Sequence, residues 1–90
     1  MSKERQDKLD STRGALKTAL RHVRSGEDMQ AQFWLGNATA HCPTDMPELD
    51  WTVPISSATN LRKLGVNDHD GRFAIVRDLT SLIAQMEDMS

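Results

Sequence analysis

Apolar residues recur along this chain at helical spacing and do not alternate as in strands. Leu9, Leu16, Leu20 and Val23 fall within a narrow arc at about 100° per residue, which predicts an amphipathic helix ending near Arg24. Asp10 and Ser11 are suited to cap a helix that begins near Thr12, leaving residues 1–9 as a frayed tail. Gly14 weakens this helix by about 1 kcal/mol relative to alanine. Ser25-Gly26 supplies a stop, with Arg21 and Arg24 placed against the negative end of the helix dipole.

Glu27 and Asp28 suit the opening turn of a second helix, and so short a connection predicts an antiparallel hairpin. On that helix Met29, Phe33, Gly36 and Ala40 share one face, with Trp34 at its edge. Gly36 and Ala40 are small enough to admit a neighbouring helix closely. Pro43, Pro47 and Pro54 then interrupt the pattern, so residues 42–55 read as an ordered loop pinned by Leu49, Trp51 and Ile55. A short third helix is expected from about Ser57 to Leu64, stopped by Gly65. After a turn over Asn67–Gly71 a fourth runs from about Asp70 to Asp88.

In the fourth helix Phe73, Ile75, Val76, Leu79, Leu82, Ile83 and Met86 cover about half the circumference, wider than a surface helix needs. Either this helix is the central one, or Leu79, Leu82, Ile83 and Met86 belong to a self-association face that would make a homodimer. The expected fold is all-α: one small domain over residues 1–90, a three- to four-helix bundle. It has an N-terminal hairpin, a proline-rich irregular connection and a long C-terminal helix.

Composition narrows the functional classes. No apolar run approaches the roughly 18–20 residues needed to cross a bilayer. The segment Met1-Ser2-Lys3-Glu4-Arg5-Gln6-Asp7 is charged, with no signal-peptide core after it, so a cytoplasmic location and no membrane partner are expected. The single cysteine, Cys42, has no intrachain partner, as fits a reducing compartment. His22, His41, Cys42 and His69 lack the paired spacing of a structural zinc site, so no metal is expected. Asn67-Asp68-His69-Asp70-Gly71 resembles part of a calcium loop. With Gly71 at the sixth loop position, however, Arg77 falls where a bidentate acid is required. No nucleophile elbow, P-loop or dinucleotide fingerprint is present, and the expectation is neither an enzyme nor a cofactor binder.

Charge is the more informative property. The formal net charge of −2 divides into +4 over residues 1–24 and −6 over the rest, with no Lys or Arg between Ser25 and Leu61. Arg13, Lys17, Arg21 and Arg24, spaced four, four and three apart, form one basic stripe on the first helix. Such a stripe suits an acidic protein surface, a phosphate backbone, or solvent alone. Glu27, Asp28, Asp45, Glu48 and Asp50 form a complementary acidic stretch able to face a basic partner. Trp51 within it is either a core plug or an exposed anchor.

Leu61-Arg62-Lys63-Leu64-Gly65-Val66, followed by a helix, resembles the middle of a bacterial helix-turn-helix over about twenty residues. That resemblance implies a DNA-binding regulator using residues 57–88. The chain departs from the pattern at Asp68 and Asp70, which repel phosphate where base-reading residues stand, and at Gly71, where a branched apolar residue is usual. The leading expectation is therefore a non-catalytic protein–protein interaction module: a small adaptor, inhibitor or accessory subunit of the kind bacteria and phages encode. Its contacts would come from Arg13, Lys17, Arg21, Arg24, Asp45, Glu48, Asp50 and Trp51. A DNA-binding regulator stands second.

Overall fold

The computed structural model describes residues 3–42, 46, 48–65 and 67–89. It holds four helices: α1 (Lys3–Arg24), α2 (Asp28–His41), α3 (Thr52–Lys63) and α4 (His69–Met89). Chain neighbours pack on each other, and α4 returns to α1 and closes the ring, while the diagonal pairs barely meet. The result is an all-α four-helix bundle, elongated at 44 × 19 × 18 Å. Among the described residues no helix is long and apolar enough to cross a membrane.

The α1–α2 hairpin is set by local chemistry. Gly26 takes φ +79°, a conformation that only glycine adopts cheaply. Its N–H donates to the Val23 carbonyl (3.2 Å) and the Glu27 N–H to the His22 carbonyl (2.9 Å), the paired bonds of a Schellman stop. At the other end α1 extends past the expected start, so Lys3 to Leu9 are helical and do not form a frayed tail. The cause is tertiary: Leu9 is fully buried, and Asp10 accepts from Gln6 (3.1 Å) and Arg13 (3.2 Å) along the helix in place of capping it.

Helix α3 also begins earlier than expected, at Thr52 in place of Ser57. Pro54 is its third residue, where a backbone N–H has no helical acceptor to lose, so the proline does not oppose the helix. Asp50 provides the start by accepting from the backbone N–H (3.0 Å) and hydroxyl of Thr52. The irregular connection is therefore shorter than residues 42–55. Met46 and Leu49 are buried in it, whereas Ile55 lies on α3 and is exposed, so it pins nothing. Pro43 and Pro47 lie outside the described residues.

Helix α4 is capped by Asp68, whose carboxylate accepts from the Gly71 N–H at 2.9 Å. A Cβ on Gly71 would stand 2.7 Å from Leu64 Cδ2 and 2.8 Å from Asp68 Oδ2, so a larger residue there would have to displace both side-chain ends, including the capping carboxylate. The width of α4's apolar arc is used inside the chain. Leu79, Leu82, Ile83 and Met86 are all buried in the core with Ile75, while Phe73 is exposed. A self-association face built from those four residues is thus corrected: they are covered by α1 and α3 in a single copy.

The faces of α2 are reversed from the expectation. Ala31, Leu35 and Ala38 point into the core, whereas Met29, Phe33, Gly36 and Ala40 are exposed. Both sides of this helix are apolar, so periodicity alone had no polar face from which to orient it.

Candidate interaction surface

The basic stripe of α1 lies beside α4. Lys17 reaches across to Glu87 at 2.7 Å, and Arg13 pairs within its own helix with Asp10 at 3.2 Å. Lys17's hydrogen bond and charge, helped by the charge of Arg13, hold the Glu87 carboxyl below the usual carboxylate range. Arg21 and Arg24 are exposed and pair with no acid among the described residues. Between the two helices lies an open groove of about 350 Å³, lined by Lys17, Arg21 and Arg24 together with half-buried Leu20, exposed Thr80 and the edge of buried Ile83. The sequence pattern found the three cations. It did not find Leu20 and Ile83 as groove residues, because that role depends on α1 and α4 being neighbours.

The acidic stretch has a different fate. Glu27 meets His22 Nδ1 at 3.0 Å, Asp28 binds Arg72, and Asp50 holds the start of α3. The two hydrogen bonds from Thr52 hold the Asp50 carboxyl below its ordinary range. Glu48 is exposed, and Asp45 lies outside the described residues. Three of the five acids therefore organise helix ends and do not form a free acidic face. Trp51 is half-buried against the core, and its indole N–H is buried with no hydrogen-bond partner among the described residues. It acts as a plug and not as an exposed anchor.

Arg72 is the residue that sequence reasoning missed. Its Nη1 donates to Asp28 Oδ1 (2.6 Å) and to the Val23 carbonyl (2.9 Å), and Nη2 donates to Asp28 Oδ2 (3.1 Å). One guanidinium thus ties the start of α4 to the end of α1 and the start of α2. Its pKa is raised, first by the hydrogen bond to Asp28. No local signal marks the pairing, since Asp28 and Arg72 are 44 residues apart.

That clamp also bears on the region resembling a helix-turn-helix. Helix α4 opens with His69, Asp70, Gly71 and Arg72, and its arginine is turned back onto Asp28 and away from solvent. Arg62 donates to Gln32 Oε1 at 3.2 Å. The α4 start therefore offers acids where a phosphate would approach. The Cys42 thiol donates to the Thr39 carbonyl at 3.2 Å, and His41 is exposed beside it. Among the described residues no three of His, Cys, Asp and Glu gather where a metal ion could bind. Against this geometry, no protein-family model, curated protein or solved structure matches the chain.

Proposed function

We propose that the chain is a non-catalytic protein-binding module, and that the α1–α4 groove receives an acidic segment carrying an apolar anchor. The observation that carries this reading is that Arg21 and Arg24, which meet no acid among the described residues, adjoin an apolar floor of Leu20 and Ile83. Cations on the rim steer and orient an acidic partner, while the apolar floor supplies contact that does not depend on salt. A phosphate backbone would use the cations but leave that floor unused. The role this suits is a small adaptor, inhibitor or accessory subunit working in the cytoplasm, where a lone thiol stays reduced.

The test is an NMR titration of the labelled chain with three probes: an acidic amphipathic helical peptide bearing leucine anchors, a basic peptide of the same pattern, and a short DNA duplex. The acidic peptide is expected to shift the amides of Leu20, Arg21, Arg24, Thr80 and Ile83. Arg21→Glu with Arg24→Glu is expected to weaken it by about tenfold or more. Silence at these amides with the acidic peptide overturns the reading. So does binding confined to DNA and lost steeply with salt, which would favour the regulator.

A further inference from the structure

Helix α2 carries a surface that the basic groove does not explain. Met29 is 83% and Phe33 64% exposed, and Gly36 and Ala40 continue the same outward face. Phe33 is held in place by an edge-to-face contact with Trp34 at 5.4 Å between ring centroids. Gly36 lies in mid-helix, where it costs about 1 kcal/mol relative to alanine. A Cβ there would meet nothing within 4 Å, so no contact inside one copy requires glycine at this position. From Asp28 to His41 the helix has a single carboxylate, Asp28, and no Lys or Arg.

We infer that the outer face of α2 pairs with α2 of a second copy, antiparallel, about a two-fold axis between residues 34 and 35. The four outward residues are spaced four, three and four apart, and that spacing reads the same in both directions. An antiparallel copy therefore sets Met29 against Ala40 of the second copy and Phe33 against Gly36 of the second copy. Every bulky residue meets a small one, and the contact is self-complementary, as a closed two-fold interface must be. The same register brings Asp28 near His41 of the second copy and opposes the two helix dipoles, so no like charges face each other. A seam about 21 Å long, with the two Phe at its centre and the two Met toward its ends, buries on the order of 1,000 Å², the lower bound for specific association. The dimer is accordingly a reversible one. Since α2 lies diagonal to α4, this pairing leaves the α1–α4 groove open on both copies.

Sedimentation equilibrium of the intact chain tests this directly. The mean mass is expected to rise from 10.1 kDa toward twice that value as concentration increases from about 5 to about 500 µM. Gly36→Glu is expected to stay folded by circular dichroism, because it fills open space and removes a mid-helix glycine, and to remain monomeric throughout. Register is read by crosslinking in a Cys42→Ser background. Met29→Cys with Ala40→Cys should yield a disulfide-linked dimer, and Met29→Cys alone should not, its two copies lying about 16 Å apart along the seam. Monomer at the highest concentration overturns the inference, as does a dimer mass that Gly36→Glu leaves unchanged or equal crosslinking by the single and double variants. Arg21→Glu with Arg24→Glu should leave the self-association intact, so failure of the groove reading and failure of this one are distinguishable.

Discussion

Removing the Arg72 guanidinium is expected to destabilise the bundle by about 2–3 kcal/mol. Local rules give the opposite sign. A cation in the first turn of α4 opposes the positive end of its helix dipole, so Arg72→Ala should help that helix by a few tenths of a kcal/mol. The tertiary contacts outweigh this. Arg72 makes a bidentate pair with Asp28 and also binds the Val23 carbonyl near the end of α1. Fully exposed ion pairs contribute about 0–1 kcal/mol, and hydrogen bonds to charged groups about 1.5–3. With side chains 24% and 31% exposed, this pair falls between those limits, and loss of three bonds brings the total to the stated range.

For a 90-residue chain, such a change lowers Tm by about 10–20 °C. Thermal and urea unfolding followed by circular dichroism measure it. A double-mutant cycle with Asp28→Ala should give a coupling of about 1–2 kcal/mol, and Arg72→Lys should recover less than half of the loss because it has no fork. Arg77→Ala is the matched control. Its pairing with adjacent Asp78 joins side chains 66% and 49% exposed, and its effect should stay within about 0.5 kcal/mol. An Arg72→Ala chain as stable as the parent, or a coupling of zero, would refute the clamp.

Two further substitutions probe the core. Leu79→Asp is expected to abolish the folded state, because it places an unpaired charge where Leu79 is fully buried. A folded monomer by circular dichroism and sedimentation would instead restore Leu79 to a self-association face. Thr12→Val is expected to stabilise the chain by about 1 kcal/mol, since the Thr12 hydroxyl is buried with no hydrogen-bond partner among the described residues. An unchanged or lower urea midpoint would show that the hydroxyl is satisfied in solution.

The parts of this fold legible in the sequence are those decided by residues close in the chain. Gly26 stops α1 and Asp68 caps α4 through bonds spanning five residues or fewer, and Arg13, Lys17, Arg21 and Arg24 share a face by spacing alone. The parts that are not legible depend on distant neighbours. The first turns of α1 read as a tail because the cover over Leu9 is not local. The orientation of α2 is not legible locally, because Met29–Phe33 and Ala31–Leu35 are both plausible apolar faces and only the positions of α1 and α3 choose between them. Pro54 concealed the start of α3 because a proline in a first turn and one in a loop look alike without the Asp50–Thr52 bond.

The same distinction changes the meaning of the charge split. The −6 of residues 25–90 suggests an acidic face, yet Asp28, Asp50 and Asp68 each hold a helix end or join two helices, and Glu27 meets His22. Those acids act where exposed N–H groups and the helix dipole favour a negative charge, so architecture accounts for them without a partner. The +4 of α1 is only partly absorbed in this way. Arg13 and Lys17 find acids, while Arg21 and Arg24 remain at the edge of an apolar groove. The two charged stretches therefore carry unequal weight in the proposed reading: four of the acids are engaged in the architecture, whereas Arg21 and Arg24 meet no acid among the described residues.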